Sequence, residues 1–312
     1  MIYKKVARIE EQISAIGIGC WNMGGDWDSS EEKNSIDIIH AAIDMGINFF
    51  DVAPVYGWGV SETILGKALK GGLRDKVLIA SKGGLLWNDA HQTTNNLSKK
   101  SLLQEIDDSL RRLQTDHVDF LLLHRPDTLC EPEEVAEAFD TLQTQGKVLH
   151  FGVSNENPYQ IQLLNKYLKE KICINQLQFG LGHTTMVDAG LNVNMNHDPA
   201  TNRDGGVLDF CRLNDITIQP WSPFQYGFFE GAFIGNPKFQ ALNEKLEEIA
   251  ARYDITPTGL AIAWILRHPA CMQPIVGSVN PGRLQEICAA ADVTITRQEW
   301  YDLYCSTGKK LP

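Results

Sequence analysis

Four side chains of this 312-residue chain have types that together could move a proton to an oxygen atom: Asp51, Tyr56, Lys82 and His124. A free tyrosine has a pKa of about 10, and a nearby ammonium such as that of Lys82 lowers this pKa and makes the hydroxyl a better acid. Asp51 can hold the lysine charge in place, and His124 can donate a hydrogen bond to a carbonyl oxygen. The set suits protonation of an oxygen while a hydride arrives at carbon, and it contains no nucleophile–base pair for acyl transfer.

Eight short apolar segments are predicted to be the strands that position these side chains. They are near-continuous apolar runs, as is typical of strands covered on both faces, and they span residues 15–20, 48–53, 77–82, 118–124, 150–155, 172–178, 216–222 and 273–278. Helical patterns separate them, for example Leu102, Ile106 and Leu110 after the predicted N-cap Ser98. Thr256-Pro257 and Asn280-Pro281 each predict a helix start with an N-cap followed by proline. Eight alternations of strand and helix predict an α/β fold, a (β/α)8 TIM barrel, formed by one domain over residues 1–312.

Polar and aromatic residues end the predicted strands, at the edge where a TIM barrel carries its active site. Besides Asp51, Lys82 and His124, the residues on or at the ends of these strands are Ser154, Asn155, Gln176, Trp221, Ser222, Gly277 and Ser278, and Tyr56 lies in the loop five residues after Asp51. Three long connections, 83–97, 179–203 and 223–237, follow strands and are expected as long loops at the same C-terminal mouth, where a substrate pocket usually forms. A stripe that includes Trp300 and Tyr304 predicts an added C-terminal helix packed on the barrel.

Composition excludes several classes of partner. The net charge of −11, from 28 Lys+Arg against 39 Asp+Glu, argues against nucleic acid. The longest apolar run, 260–266, is too short to span a membrane, and Lys4 and Lys5 interrupt any signal-peptide segment. Seven cysteines without a C-x-x-C pair predict a reducing cytoplasm, and no residues have metal-ligand spacing. The sequence makes no prediction about the oligomeric state.

Several segments resemble motifs of the aldo-keto reductase superfamily. Residues 46–62 (GINFFDVAPVYGWGVSE) resemble its first signature. The segments similar to its later motifs are 121–126, 151–155, 175–176, 221–223 and 274–278. They occur in order from about residue 17 to residue 287, so the resemblance covers most of the chain, and it is strongest to the bacterial, oxidoreductase-type branch.

The resemblance implies an NAD(P)H-dependent reductase of aldehydes or ketones. Tyr56 would be the general acid, Lys82 would lower its pKa, Asp51 would partner the lysine and His124 would orient the carbonyl. The implied cofactor-binding residues are Trp21, Asp51, Ser154, Asn155, Gln176, Trp221, Ser222, Pro223, Phe224, Gly277, Ser278, Arg283 and Glu286. The substrate-binding residues would be Trp21, Trp58, Trp87 and His124.

The resemblance implies NADPH as the cofactor, with NADH as the alternative. Ser278 and Arg283 match positions that hold the 2′-phosphate in relatives, and arginine suits that bidentate contact. A predicted helix start at Asn280 would add backbone N–H groups for a phosphate. Gly277 and Ile287 depart from the family, since many relatives carry a lysine and a polar adenine contact there.

Three other kinds of protein are alternatives to an aldo-keto reductase. Tyr167 and Lys171 form a Tyr-x-x-x-Lys pair of the short-chain dehydrogenase type, but the glycine-rich first turn of that family is missing. A nucleotide-binding regulatory subunit with little turnover would share the barrel; a tight protein partner would favour it. A TIM-barrel lyase or hydrolase would need a metal cluster or paired carboxylates at the mouth, and the sequence offers neither.

Overall fold

Eight parallel strands close into a barrel in the computed structural model of the chain, which describes residues 1–6, 9–24 and 32–312. The strands are β1 Gly17–Gly19, β2 Phe49–Asp51, β3 Leu78–Gly83, β4 Val118–Leu123, β5 Val148–Ser154, β6 Ile174–Gln178, β7 Thr217–Trp221 and β8 Ile275–Val276. Each pairs with its neighbours in sequence, and β8 closes the ring on β1, with Ile275 opposite Gly17. The predicted TIM barrel and its eight strands are confirmed.

Helices connect the strands and cover the outside of the barrel. The α-helices among the described residues are α1 Glu32–Asp44, α2 Val60–Ala68, α3 Lys99–Leu113, α4 Pro132–Thr144, α5 Pro158–Tyr167, α6 Thr185–Leu191, α7 Val207–Leu213, α8 Gln240–Ala250, α9 Pro257–Leu266, α10 Pro281–Ala289 and α11 Arg297–Ser306. The side chains of Ser98, Thr256 and Asn280 each accept a hydrogen bond from the backbone N–H three residues on. These three N-caps confirm the predicted starts of α3, α9 and α10.

Apolar side chains fill the inside of the barrel, where the rings of Phe49 and Phe120 lie 5.5 Å apart. An antiparallel hairpin, Tyr3–Lys5 with Gln12–Ser14, packs against this cluster through Ile13. Because the hairpin also hydrogen-bonds to residues that precede strands, it covers the N-terminal end of the barrel. The sequence did not predict this hairpin.

The three long connections contain regular structure that the sequence did not predict. A hairpin, Leu85–Trp87 with Thr93–Asn95, lies in the first, and Gln225–Tyr226 pairs with Gly231–Ala232 in the third. Both connections contribute residues to the cavity at the barrel mouth. The second connection, 179–203, instead borders a separate cavity of about 670 Å³ between α6, α7 and α11.

The predicted C-terminal helix is present as α11, and it packs on α9. The rings of Trp264 and Trp300 stack with their centroids 4.7 Å apart. Each indole N–H donates to the backbone carbonyl of the other tryptophan at 3.0 Å. This double contact fastens the end of the chain to the barrel.

Candidate active site

The carboxyl ends of β2, β3 and β4 bring polar side chains to one point. Asp51 is the last residue of β2, Lys82 is the penultimate residue of β3, and His124 follows β4. The Lys82 Nζ donates a hydrogen bond to Asp51 Oδ1 at 2.6 Å and another to the Tyr56 hydroxyl at 3.0 Å. Asp51 and Lys82 are buried. The structure therefore brings the four residues of the predicted tetrad (Asp51, Tyr56, Lys82 and His124) together.

The Tyr56 hydroxyl experiences two opposing effects. Burial raises the pKa of Tyr56, and the Lys82 ammonium lowers it by less, so the net pKa lies above the ordinary value. Burial also disfavours the charged form of Lys82, but Asp51 and Tyr56 outweigh burial and the pKa of Lys82 is raised. The expected net lowering of the tyrosine pKa does not occur, because removal from water outweighs the lysine charge.

His124 completes the tetrad as a neutral group. Its ring centroid lies 5.8 Å from that of Tyr56, with the two rings nearly perpendicular. Burial lowers the pKa of His124 well below its ordinary value, and the charges of Lys82 and Arg125 lower it further. At pH 7 the imidazole is therefore uncharged and can donate one N–H to an oxygen that also faces Tyr56.

A tight turn, Tyr56–Gly59, carries the tyrosine. Its backbone has positive φ at Gly57 (53°), Trp58 (55°) and Gly59 (94°). A Cβ at Gly57 would lie 2.4 Å from the carbonyl oxygen of Gly24, so the turn can approach that segment only with glycine at this position.

The carboxylate of Glu62 joins this turn to β3 and to α3. The Arg112 Nε donates to Glu62 Oε2 at 2.6 Å, and Glu62 Oε1 accepts a hydrogen bond from the Ser81 hydroxyl at 2.8 Å. Glu62 lies in the first turn of α2, just after the Tyr56 turn, and Ser81 immediately precedes Lys82. The link therefore fixes the tyrosine turn relative to the lysine.

Three glutamine side chains, the amide row Gln176–Gln219–Gln273, cross the barrel interior. Gln176 Nε2 donates to Asp51 Oδ1 at 2.6 Å and to Gln219 Oε1 at 3.0 Å. Gln219 Nε2 donates to Gln273 Oε1 at 2.8 Å, and Gln273 Nε2 donates to the backbone carbonyl of Ser14 at 2.9 Å. Both N–H groups of Gln176 are engaged, so its Oε1 remains as the acceptor it can offer to a ligand.

The tetrad faces a cavity of about 600 Å³ at the barrel mouth. The predicted cofactor residues that line it are Trp21, Asp51, Ser154, Asn155, Gln176, Trp221, Ser222, Pro223, Phe224, Gly277, Ser278 and Arg283. Asn155 accepts a hydrogen bond from the Trp221 indole at 3.2 Å and donates to the Ser154 hydroxyl at 2.8 Å. The lining, as far as the structure describes it, does not include Glu286, whose carboxylate accepts from the Thr256 hydroxyl.

One end of the cavity is bordered by the start of α10. Ser278 and Arg283 line it there, and Asn280 caps the helix by accepting from the Arg283 backbone N–H at 3.1 Å. The Arg283 side chain is exposed. A guanidinium beside a helix N-terminus fits a phosphate group, because both offer hydrogen-bond donors and positive potential.

Aromatic rings form much of the cavity wall. Trp21 and Trp58 line it as predicted, whereas Trp87 contacts Trp58, with ring centroids 5.9 Å apart, and is not among the described lining residues. Phe229, which the sequence analysis missed, lies with its ring centroid 4.3 Å from that of Trp21 and 6.0 Å from that of Trp221. It belongs to the long connection 223–237, whose fold is not predicted by any pattern in the sequence.

Two polar lining residues were also missed. Arg125 lies with its guanidinium carbon 6.0 Å from the ring centroid of Trp221, and its position directly after the strand-end His124 could have indicated it. Gln225 Oε1 is buried and has no hydrogen-bond partner in the described part of the chain. An unpaired buried acceptor in a cavity wall is suited to a ligand donor.

Within residues 1–6, 9–24 and 32–312, no group of three or more His, Cys, Asp or Glu side chains is placed to hold a metal ion. No helix in those ranges is long and apolar enough to cross a bilayer.

Comparison with known proteins agrees with this geometry. A family model described as the aldo/keto reductase family matches residues 15–304. A 6-dehydroglucose reductase from Agrobacterium fabrum is 34% identical over 309 residues, with 96% of each chain covered. An NADH-specific methylglyoxal reductase from Escherichia coli is 26% identical over 317 residues, with 91% of each chain covered.

A solved structure is similar over the same length. The crystal structure of a thermostable aldo-keto reductase with the inhibitor epalrestat superimposes with a TM-score of 0.77 at 29% identity. The match covers 98% of this chain and 100% of that one, so the two chains share the fold along their length.

Proposed function

Because the chain belongs to the aldo/keto reductase family of oxidoreductases, we propose that it reduces aldehydes or ketones to alcohols with NADPH, with Tyr56 as the general acid. The observation that supports this most directly is the 3.0 Å hydrogen bond between Lys82 Nζ and the Tyr56 hydroxyl, at a cavity that His124 also lines. In the reverse direction the same tyrosine would act as the base for alcohol oxidation.

Each tetrad residue has one task in this proposal. The Tyr56 hydroxyl donates its proton to the substrate oxygen, and neutral His124 donates a second hydrogen bond to the same atom. The Lys82 ammonium stabilises the phenolate that remains, and Asp51 holds the lysine charged and in place. NADPH, when bound, supplies the hydride that reaches the carbonyl carbon.

Residues along the cavity would hold the cofactor. Trp221 offers a flat surface to the nicotinamide ring, and Ser154, Asn155 and Gln176 offer polar groups to its carboxamide. NADPH is proposed over NADH because Arg283 at the start of α10 suits the additional phosphate. The family alone leaves this choice open, since the Escherichia coli relative is named as NADH-specific.

Titration with each cofactor, followed by quenching of tryptophan fluorescence, tests this site without knowledge of the substrate. We expect Arg283→Ala to weaken NADPH binding by about tenfold or more, the usual scale for a charged hydrogen bond, and to change NADH binding little. Arg111→Ala, on the exposed face of α3, is the matched control. Equal losses of NADPH and NADH affinity in the Arg283 variant would contradict the 2′-phosphate role. A wild-type protein that binds neither cofactor would remove the proposed redox function.

The partner we propose is a small carbonyl compound, and the location a reducing cytoplasm. All seven cysteines are unpaired, which supports that location. A regulatory subunit without turnover would not need the hydrogen bonds among Asp51, Lys82 and Tyr56, so their presence favours chemistry.

A further inference from the structure

Among the residues that the structure describes, one cation of the proposed active-site cavity has no anionic partner. Arg125 follows His124 directly and lines the same cavity. Within the described ranges, no carboxylate lies within the 4.0 Å that would make an ion pair with its guanidinium. The neighbour it does have is the aromatic face of Trp221, 6.0 Å from the guanidinium carbon to the ring centroid.

The other charged groups of the cavity do not neutralise Arg125. Asp51 is the acidic side chain among the described lining residues, and its Oδ1 already accepts from both Lys82 and Gln176. His124 is neutral, and Arg283 adds a further positive charge at the α10 end. Counted over the described lining residues, the part of the cavity beside the tetrad therefore carries an uncompensated positive charge.

An oxyanion would stabilise this guanidinium. Partial burial lowers the pKa of Arg125, but a guanidinium remains protonated at neutral pH. Its planar fork matches the two oxygens of a carboxylate, and one carboxylate balances its single charge. The aromatic rings of Trp58 and Phe229 would contact the carbon skeleton of the same ligand.

We propose that Arg125 is a specificity-determining residue that binds a carboxylate on the substrate, so that the preferred substrates are aldehydes or ketones bearing a carboxylate. This inference rests on the proposed reduction. Tyr56 and His124 contact the carbonyl oxygen while Arg125 contacts the carboxylate of the same molecule, and the bonds made and broken in the reduction stay the same.

The test compares 3- and 4-carboxybenzaldehyde with their methyl esters, which have the same ring but no charge. For wild type with NADPH, we expect at least one acid to have kcat/KM about tenfold or more above that of its ester. Arg125→Gln should remove this preference mainly through a higher KM for the acid, and Arg125→Lys should restore part of it. Arg111→Gln is the control, because its exposed side chain lies on the outer face of α3. An acid and its ester also differ in the intrinsic reactivity of the aldehyde. This difference is the same for every variant, so it cancels when the acid-to-ester ratio of kcat/KM in a variant is compared with that of wild type.

Two results would overturn the assignment. One is a wild-type protein whose kcat/KM is no higher for either acid than for its ester. This result does not depend on the folding of any variant. The other is an Arg125→Gln protein that loses acid and ester equally, or loses NADPH affinity in the fluorescence titration, because the arginine would then serve the fold or the cofactor. Turnover of the esters separates this failure from that of the proposed function, since a protein that is not a carbonyl reductase would reduce none of the four aldehydes.

Discussion

At the scale of single residues, the proposed acid Tyr56 is held protonated, and a cation lies beside the phenolate that proton transfer would leave. Burial raises the pKa of Tyr56, so the hydroxyl holds its proton at pH 7, while Lys82 lies 3.0 Å from the oxygen that would become negative. The sequence predicted Lys82 from its position at a strand end and Tyr56 from its position in the loop five residues after Asp51. It could not predict which effect on the pKa is larger, because burial depends on the mouth loops that cover the site.

The first prediction concerns the hydroxyl itself. Tyr56→Phe removes the proposed acid but keeps the ring, so we expect kcat to fall by about 10²–10⁴-fold, the usual contribution of a positioned acid. NADPH affinity, measured by fluorescence, should change little. Tyr159→Phe, at an exposed tyrosine on α5, is the matched control. Full turnover in the Tyr56 variant would refute the assignment of the general acid.

At the scale of elements, the strands and helix starts that the sequence predicted are those that depend on residues close together in the chain. The apolar runs of the strands and the caps at Ser98, Thr256 and Asn280 were predicted because each depends on a few adjacent residues. The hairpins in the mouth connections were not, because their strands are two or three residues long and, like Thr93–Asn95, can be fully exposed. Gln225 and Phe229 lie in one of these connections and reach the site through its tertiary fold. Arg125 reaches it from the segment that follows β4.

A second prediction tests the turn that carries Tyr56. Gly57→Ala adds a Cβ that would meet the Gly24 backbone at 2.4 Å and also strains the positive φ, so the turn must move. We expect kcat/KM to fall by about tenfold or more, since small displacements of catalytic groups cost that much or more. The measurement is steady-state kinetics with a benzaldehyde substrate together with urea unfolding.

Gly71→Ala provides the control for this turn. Gly71 has a similar positive φ of 74° and nothing within 4 Å of its added Cβ. It should lose about 1–2 kcal/mol of unfolding free energy from backbone strain alone and keep its activity. Equal effects of both substitutions on kcat/KM would show that strain, and not the contact with Gly24, matters.

At the scale of the whole molecule, the barrel was predictable because eight right-handed strand–helix units have few ways to close. The extent of a single domain over residues 1–312 stays a prediction. The two cavities were harder to foresee: one of the three long connections turns away from the tetrad and borders the space near α11. Nothing in the residues of 179–203 distinguishes that course from one over the mouth.

A third prediction tests how α11 supports the barrel. Trp300→Ala removes a buried ring stacked on Trp264 and leaves the Trp264 carbonyl without its donor, so we expect a loss of about 3–5 kcal/mol in unfolding free energy. Urea denaturation measures this. Leu213→Ala, at an exposed leucine on α7, should stay within about 0.5 kcal/mol of wild type. A loss at Trp300 no larger than at Leu213 would mean that α11 contributes little to stability.

The hydrogen bonds from Gln176 through Gln219 and Gln273 all run in one direction, from donor to acceptor toward Ser14. The backbone carbonyl of Ser14 can only accept, so Gln273 must present its nitrogen to it, and each glutamine in turn is fixed with its oxygen toward the mouth side. A nicotinamide carboxamide bound at Gln176 would therefore meet an oxygen and be held by its own NH₂ group. On the proposed function, the atom that Gln176 offers to the cofactor is thus tied both to Asp51 and to a backbone carbonyl in the N-terminal hairpin, at the opposite end of the barrel.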